Sequence, residues 1–290
     1  MTSEETPDAA LPGVSGAPDG MAIPMPRADG TTLPRVRAVS RAVAILRAFT
    51  PEQPQLALGV IAARAGLDAG TTRRLLVTLR DEGLVAQDGS SGHYRLTMEV
   101  LRLGAAVPGA GSVRDVAGPV MDALATETGS TVFLSTWQGG EAMCVLRRHG
   151  PAPVQVNWWA EGAALPVNVG AAPRLLLASR PPAERAAALS RGLSRLTERS
   201  VTEAAVLDAE LAEIRDRGWC FAADDVALGL AALAVPVRDR SGQVLAALSL
   251  AGLTAALSDT QGGPRMEMLQ ALQAQARELS ARMPSEGFIL

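Results

Sequence analysis

The patterned part of the chain opens with three short stretches in which apolar residues recur at helical spacing. This period predicts helices over Ser40 to Phe49, Leu58 to Ala65 and Ala69 to Glu82. Ser40 and Asp68 stand where N-capping residues are expected, and Gly66 stands where a glycine ends a helix. Only a few residues separate the second helix from the third, which is the length that a helix-turn-helix requires.

A β-hairpin is predicted directly after the third helix. Residues 84–87 and 93–96 have strand-like composition, and the segment between them, DGSSG, is rich in turn-forming residues. A hairpin in this position is the wing of a winged helix-turn-helix. A further helix is predicted over Thr97 to Leu103, and the stretch Pro108 to Gly111 is expected to break or bend the chain after it.

From Ser130 onward short strands alternate with helices. The predicted strands are Thr131 to Trp137, Ala142 to Arg148, Val154 to Trp158, Trp219 to Ala223, Ala231 to Arg238 and Val244 to Leu250. A helix is predicted over Val113 to Thr128, just before this part. Within it the predicted helices are Ala172 to Arg180, Pro182 to Gly192, Glu203 to Arg217 and Gly263 to Met283. This mixture, with a hairpin near its end, predicts an α+β domain with an antiparallel sheet.

These elements divide the chain into five predicted parts. Residues 1–34 lack an apolar period and are predicted to be a disordered tail. Residues 35–96 form the winged helix-turn-helix, and residues 97–112 form a linker helix with a hinge. Residues 113–283 form the α+β domain, and residues 284–290 are a short C-terminal tail.

The net charge of −3 argues against nucleic acid, but the charges are distributed unevenly. Residues 35–104 contain ten Arg and six Asp or Glu, a local excess of four positive charges. The chain contains no lysine, so every contact of a cationic side chain with phosphate must come from a guanidinium group. The basic excess therefore coincides with the predicted winged helix.

Residue counts exclude several kinds of site. The two cysteines, Cys144 and Cys220, lie far apart, and the only histidines are His93 and His149. These residues favour neither a disulfide framework nor a CxxC or histidine-rich metal site. The sequence has no phosphate-binding loop and no convincing dinucleotide-binding glycine motif. We therefore expect neither a metal nor a cofactor.

Membrane insertion and secretion are not expected either. The N-terminus is acidic and has no basic start followed by an apolar run. The longest nearly unbroken apolar stretch, Val226 to Val237, is too short to span a bilayer. A cytoplasmic protein without membrane contact is the expectation.

The first residues of the third helix are suited to reading DNA. A recognition helix contacts base edges with its N-terminal half, and short polar residues and arginine make such contacts. The candidates for base contact are Gly70, Thr71, Thr72 and Arg73. The candidates for backbone or neighbouring-groove contact are Arg74, Arg35, Arg37, Ser40 and Arg41, with His93 and Arg95 on the wing.

The sequence resembles a known family across both predicted domains. The segments AVSRAVAILRAF, LGVIAARAGLDAGTTRRLLVTLRDEGLV and GHYRL are similar to the winged helix of IclR-type regulators. The segments TVFLSTWQGGEAMCVLRR, LPVNVGAAPRLLLA and RGWCFAADDVALGLAALAVPVRDRSGQVLAALSLAG resemble, in order, the effector domain of that family. The resemblance covers about residues 39–283.

The resemblance implies a ligand-responsive transcription regulator with a GAF-like effector-binding domain. Such a protein binds double-stranded DNA at a pseudo-palindromic operator as a homodimer or homotetramer. It acts on a metabolic operon, here most simply as a repressor, in response to a small organic acid or aromatic molecule. The effector-binding positions that it implies are Asn168, Gly170, Ala171, Ala172, Asp225, Ala232, Ser249 and Ala251, and Trp158 is added as an apolar lining residue.

Several polar ligands of the family are absent from these positions. A Gly-Lys pair is replaced by Pro173 and Arg174, a cysteine by Ala232, and the second serine of a Ser-x-Ser pair by Ala251. We therefore expect an effector more apolar than the small polar acids bound by some relatives, with a carboxylate on the backbone amides of Gly170 and Ala171. Trp158, with its neighbour Trp159, either lines this site or packs a sheet edge.

Two other classes of function are open. An enzyme would use Cys144 or Cys220 as a nucleophile with His149 as a base. Both cysteines lie in apolar strand patterns, where inert cysteines are common, and Asp224 and Asp225 are predicted on opposite faces of a strand. We therefore predict no catalytic activity. A protein-interaction module is the second alternative, and a weak dependence of binding on salt would distinguish it from a DNA-binding domain.

Overall fold

A computed structural model of the chain describes residues 36–50, 53–106, 110–152, 154–157 and 159–282. These residues form two compact units. The N-terminal unit comprises residues 36–49 and 53–96, and the C-terminal unit begins at Thr97. The predicted tails, residues 1–34 and 284–290, lie outside the described residues.

The N-terminal unit is a winged helix-turn-helix. In chain order its elements are α1 Arg37–Arg47, β1 Gln55–Leu56, α2 Leu58–Ala65, α3 Ala69–Asp81, β2 Val85–Gln87 and β3 Tyr94–Leu96. The strands form an antiparallel sheet in the order β1-β3-β2. Ile45, Ile61 and Leu76 are fully buried between the three helices. The predicted fold of this unit is confirmed.

The turn between α2 and α3 has the predicted local chemistry. Gly66 ends α2 in the left-handed conformation, with φ 62°, where a side chain would be strained. Asp68 caps α3, and its Oδ1 accepts a hydrogen bond from the amide of Thr71 at 2.8 Å. This hydrogen bond lowers the pKa of the Asp68 carboxyl group. The cap fixes where the third helix begins and so which residues stand at its head.

Two local predictions in this unit are wrong. Helix α1 begins at Arg37, so Ser40 lies inside the helix, and the N-cap is Val36, which makes no side-chain hydrogen bond. No strand is predicted between the first two helices, yet strand β1 begins at Gln55, which pairs with Arg95. Periodicity could not find a two-residue strand, because its partner on the wing is distant in sequence.

The C-terminal unit is built around one sheet. Its elements are α4 Met98–Ala105, α5 Ala110–Thr128, β4 Thr131–Gln138, β5 Glu141–Arg148, β6 Ala164–Leu165, α6 Ala171–Ala178, α7 Pro182–Leu189, α8 Ala204–Arg217, β7 Cys220–Ala223, β8 Leu230–Arg238, β9 Val244–Leu253, α9 Thr254–Leu257 and α10 Met266–Arg282. The six strands are antiparallel in the order β6-β5-β4-β9-β8-β7. The predicted α+β class with an antiparallel sheet is confirmed.

Helices cover both faces of this sheet. Alternate strand residues such as Leu134, Leu233 and Leu248 pack with α5 and α10 on one face. Residues of the opposite parity, such as Phe133 and Ala247, pack with α6 and α8 on the other. Because successive side chains of a strand point to opposite faces, the near-continuous apolar strands β8 and β9 are buried on both sides.

The prediction of a strand over Val154 to Trp158 is wrong. Residues 154–157 have no strand pairing, and Trp158 lies outside the described residues. Val154 is exposed and Val156 is buried, so the segment lies along the surface instead of joining the sheet. Nearby prolines, Pro151 and Pro153, remove backbone donors that a strand would need. Of the expected break at Pro108 to Gly111, Pro108 and Gly109 lie outside the described residues, and α5 begins at Ala110.

Candidate nucleic-acid interface and ligand cavity

The head of α3 presents polar and basic residues to solvent. Gly70, Arg73 and Arg74 are exposed, and Thr71 is half-buried with its amide bonded to the Asp68 cap. The opposite side of the helix packs Leu76 and other apolar residues into the core. A groove of DNA would therefore meet the bare backbone of Gly70, the hydroxyl group of Thr71 and the guanidinium groups of Arg73 and Arg74.

The prediction that Thr72 faces outward is wrong. Thr72 is 0% exposed, and its Oγ1 donates to the backbone carbonyl of Asp68 at 2.8 Å. A rotation of about 100° per residue places position 72 on the same face as Leu76 and Leu79, towards the core. Thr72 therefore stabilises the start of the helix and is removed from the set of base-contacting residues.

The remaining candidates are divided between α1 and the wing. Arg37, Ser40 and Arg41 are exposed on α1, and Arg35 lies outside the described residues. On the wing, Arg95 is exposed and His93 is half-buried. The exposed side chains of Arg37, Ser40, Arg41 and Arg95 are therefore accessible to a phosphate backbone.

The wing turn is ordered by a single carboxylate. Oδ1 of Asp88 accepts hydrogen bonds from the amide and the hydroxyl of both Ser90 and Ser91, at 2.6 to 3.0 Å. These bonds hold the pKa of Asp88 well below its usual range. The wing therefore has a defined shape before it meets a partner.

Within the part of the N-terminal unit that the structure describes, most guanidinium groups have no carboxylate partner. Among the described residues of this unit, Arg80 forms an ion pair with Asp81, with 3.3 Å between Nη2 and Oδ1. Arg64 instead donates to the carbonyl of Ala48 at 2.8 Å. Arginines without an ion pair in the described part of this unit are Arg37, Arg41, Arg47, Arg73, Arg74 and Arg95. Their charge is available to a polyanion.

A cavity of about 60 Å³ lies in the C-terminal unit between the sheet and the start of α6. Trp159 forms part of its wall. Its Nε1 donates a hydrogen bond to the carbonyl of Ala163 at 2.7 Å, and its ring packs against that of Phe133, with 5.9 Å between the ring centroids. Its lining residues are Phe133, Val156, Trp159, Leu165, Gly170, Ala171, Ala172, Pro173, Asp225, Val226, Leu230, Ala231, Ala232, Ser249 and Ala251. The lining is almost entirely apolar.

Beside the cavity lies a buried ion-pair network centred on Arg174. Its Nη2 donates to Oδ2 of Asp225 at 2.7 Å, and its Nη1 donates to Oε1 of Glu210 at 2.7 Å. Its Nε donates to the carbonyl of Asn168 at 2.9 Å. The same Oδ2 of Asp225 accepts the amide of Gly170 at 2.7 Å. The charge of Asp225 is therefore already compensated by the protein.

This network changes the expected role of the amide of Gly170. That amide is bonded to Asp225, so it does not offer a donor to a ligand carboxylate. Within the described part of the chain, no group accepts a hydrogen bond from the amides of Ala171 and Ala172, the first residues of α6. The amides at the start of a helix have no partner inside the helix, and both residues line the cavity.

Seven of the nine predicted effector positions line this cavity, and Asn168 does not. Asn168 is buried away from it, and its side chain bonds to the backbone of Ser194 and Val201 at 2.7 to 3.1 Å. It fixes a loop and does not line the cavity. Trp158 lies outside the described residues. The seven that line the cavity are Gly170, Ala171, Ala172, Asp225, Ala232, Ser249 and Ala251.

Sequence reasoning missed the structural role of Arg174. A signal was present, because an arginine inside the apolar run AAPRLLLA is buried only if it is paired. The assumption that Asp224 and Asp225 are strand residues is also wrong. Both follow the end of β7, and Asp224 has φ 62° and accepts the amide of Gly229 at 2.6 Å.

The cysteines do not have the properties of nucleophiles. Both are buried, and burial raises the pKa of the thiol groups of Cys144 and Cys220 to about 12. A thiol with this pKa stays protonated at neutral pH. In the described residues no cluster of His, Cys, Asp and Glu has the arrangement of a metal site.

The two units together have the architecture of a DNA-binding regulator with a separate ligand-binding domain. The family model described as "IclR helix-turn-helix domain" matches residues 38–89. The model described as "Bacterial transcriptional regulator IclR C-terminal" matches residues 107–281, more than half of the chain. Each match falls within one of the two units described above.

Curated relatives and solved structures agree with these matches. The chain is 31% identical over 251 residues to the glycerol operon regulatory protein of Streptomyces griseus, covering 85% of this chain and 97% of that protein. It is 26% identical over 234 residues to the transcriptional repressor IclR of Escherichia coli (strain K12), covering 78% and 83%. An IclR homologue of Microbacterium hydrocarbonoxydans, solved with 4-hydroxybenzoate, has a TM-score of 0.71 and 25% identity, covering 84% of this chain and 98% of that chain.

The chain therefore belongs to the IclR family of bacterial transcriptional regulators. The resemblance inferred from the sequence is confirmed. Its relatives are regulators that carry a DNA-binding helix-turn-helix. In the described residues no helix is both long and apolar enough to cross a membrane.

The buried network yields a prediction about stability. Replacing Asp225→Ala leaves Arg174 buried with only Glu210 as a carboxylate partner, and breaking a buried pair costs about 3 kcal/mol in the free energy of unfolding. Urea unfolding followed by tryptophan fluorescence reports on the C-terminal unit, because all four tryptophans follow residue 130. The matched control is Asp122→Ala, which removes a surface ion pair in which Nε of Arg148 lies 3.0 Å from Oδ1 of Asp122. It should lower the free energy of unfolding by about 1 kcal/mol or less. Equal losses in the two variants would show that the buried network has no special weight.

Proposed function

We propose that this protein is a cytoplasmic repressor of a metabolic operon that binds its operator as a dimer and releases it when a small organic molecule enters the cavity. The proposal rests on one observation above others. The exposed head of α3 carries Arg73 and Arg74, which have no ion-pair partner among the described residues, on a helix fixed by the Asp68 cap. A relative of similar sequence carries the name of a repressor, which supports the sign of regulation.

Within the DNA-reading surface the residues take different roles. Thr71 and Arg73 contact base edges from the first turn of α3, and Gly70 allows close approach of the backbone. Arg73 has the geometry to form a fork onto guanine, the commonest specific contact of arginine in the major groove. Arg37, Arg41, Arg74 and Arg95, with Ser40, Arg35 and His93, position the protein on phosphates and carry no sequence information. A dimer then reads two half-sites about one helical turn, or a multiple of it, apart.

The first test of this surface is the variant Arg73→Ala. On operators that contain the base pair read by Arg73, we expect a loss of about 1–3 kcal/mol in binding free energy. On operators in which that base pair has been replaced, we expect no further loss. Fluorescence anisotropy with DNA from upstream of its own gene, and with single-base variants of it, measures this loss. The matched control is Arg80→Ala at the other end of α3, where the arginine is paired with Asp81, and its binding should stay within about twofold.

Two results would contradict these roles. A uniform loss on all sequences would make Arg73 a phosphate contact, and no loss at all would remove α3 from the interface. The salt dependence addresses the alternative of a protein-interaction module, because release of counterions makes DNA binding fall steeply as salt rises. A complex whose affinity does not change with salt would favour the protein partner.

The cavity of the C-terminal unit supports an effector with an apolar body. Its wall is formed by Trp159, Phe133 and aliphatic residues, and among the described lining residues the polar side chains are those of Asp225 and Ser249. Asp225 is engaged with Arg174 and Gly170, so it offers little to a ligand. None of the lining residues that the structure describes has a cationic side chain. A small polar acid would lose its hydration here without gaining a counter-charge.

An aromatic acid suits these walls better. Its ring would lie against Trp159, and its carboxylate would accept hydrogen bonds from the amides of Ala171 and Ala172 at the start of α6. The complex of a relative with 4-hydroxybenzoate supports this class of ligand. A volume of about 60 Å³ is smaller than the ~150 Å³ of a cavity that holds benzene. Entry of a ring therefore requires the lining side chains to move outward, which provides a route from binding to a change in shape.

Calorimetry with two acids tests the class of effector. We expect 4-hydroxybenzoate to bind at least about tenfold more tightly than glyoxylate, because burying an aromatic ring contributes about 1.5–3 kcal/mol. Ala232→Leu should abolish this binding by filling the cavity, while DNA affinity is retained. The matched control is Ala209→Leu on the exposed side of α8, which should bind like the unaltered protein. Tight binding of glyoxylate alone would contradict the proposal of an apolar effector.

A further inference from the structure

A second cavity lies in the C-terminal unit at the other end of α6. The cavity that contains Trp159 is lined by the first residues of this helix, and the second cavity is lined by Ala178 to Arg180 at its end. The end of α8 and the turn between β8 and β9 complete its walls. Its volume is about 400 Å³, which falls in the range of about 300–1,000 Å³ that is usual for small-molecule sites.

The walls of this second cavity are basic. Arg180, Arg215 and Arg238 line it, and its lining includes no aspartate or glutamate from the described ranges of the chain. Arg180 donates from Nη2 to the carbonyl of Val244 at 2.9 Å, and Arg238 donates from Nη1 to the carbonyl of Gly242 at 2.9 Å. These bonds attach two of the three guanidinium groups to the β8–β9 hairpin.

None of these three arginines has an ion-pair partner in the described part of the chain. Nε of Arg180 is buried and has no hydrogen-bond partner among the described residues. Burial lowers the pKa of the Arg180 guanidinium, and the charge of Glu184 raises it in part. A buried cationic donor without a partner is unfavourable, so an anion that accepts its hydrogen bond would be stabilised here.

The charge balance indicates the kind of anion. Helices α6 and α8 both end at this cavity, and the end of each helix contributes about half of a negative charge. Three guanidinium groups against these two ends give the lining a local charge of about +2, and Glu184, which acts on Arg180 from outside the lining, reduces it. A phosphate monoester carries about −1.5 to −2 at neutral pH, and its oxygens match the fork of a guanidinium group. A monocarboxylate would leave about half of this charge uncompensated.

We propose that the second cavity binds a small metabolite that carries a phosphate group, with Arg180, Arg215 and Arg238 as its ligands. The protein then has two small-molecule sites of opposite character, one apolar and one cationic, at the two ends of α6. This goes beyond the single effector of the proposed function.

Calorimetry of the full-length chain with inorganic phosphate and with ribose 5-phosphate tests the site. We expect one binding event per chain for ribose 5-phosphate, weakened about tenfold or more in Arg180→Gln and in Arg215→Gln, because each loses a charge-assisted hydrogen bond. Arg215 is exposed on α8, so its replacement keeps the test valid if Arg180→Gln does not fold. The matched control is Arg240→Gln, on the same hairpin but outside the lining, which should bind within about twofold of the unaltered protein.

Two results would overturn the proposal. They are the absence of binding by both phosphates at millimolar concentration, and equal weakening in Arg240→Gln. Binding of 4-hydroxybenzoate by Arg215→Gln serves as the reference for the first cavity. Because that cavity lacks these arginines, a failure here leaves the proposed function standing.

Discussion

The C-terminal unit depends on one buried guanidinium group, that of Arg174. Its side chain is 6% exposed, and a charge at such a site is tolerated only when it is paired and fully hydrogen-bonded. Its partners come from three different segments: Asp225 after β7, Glu210 on α8 and the carbonyl of Asn168 before α6. Satisfying this one group therefore fixes where α6 begins relative to the sheet and to α8.

The selectivity of the first cavity follows from the same network. Asp225 lines the cavity, but its carboxylate is used by Arg174 and by the amide of Gly170. What remains for a ligand is an apolar wall, the hydroxyl of Ser249 and two backbone amides at the start of α6. In the proposed function a ligand that enters moves lining side chains next to Asp225, so its binding would act on the contacts that hold α6 in place. The other end of that helix borders the cationic cavity, which makes α6 the element common to both sites.

The sequence predicted those parts of the structure that local chemistry determines. Gly66 and Asp68 define the turn of the helix-turn-helix by themselves, and the near-continuous apolar runs of β8 and β9 are typical of strands buried on both faces. It failed where long-range contacts decide. Strand β1 exists because Gln55 meets Arg95, and Val154 to Asn157 stay outside the sheet although their composition favours a strand.

The candidate sites show the same division. The exposure of Arg73 and Arg74 follows from helical spacing. The prediction for Thr72 was wrong because it relied on the polarity of the residue, and a polar residue at the start of a helix can still face the core. The family resemblance located seven residues of the cavity. It did not reveal that Gly170 and Asp225 bond to each other, because only the fold brings two residues 55 positions apart into contact.

The central claim is that the ligand cavity and the DNA-reading helix are parts of one switch. Thermodynamic linkage provides the most direct measurement, because an effector that changes DNA affinity by some factor must have its own affinity changed by DNA by the same factor. Titrating 4-hydroxybenzoate into the protein with and without saturating operator DNA, and operator DNA with and without saturating 4-hydroxybenzoate, gives both factors. The account predicts that each ligand weakens the other, by equal factors in the range of about 5 to 150. Binding of 4-hydroxybenzoate that is tight and unaffected by DNA would contradict it.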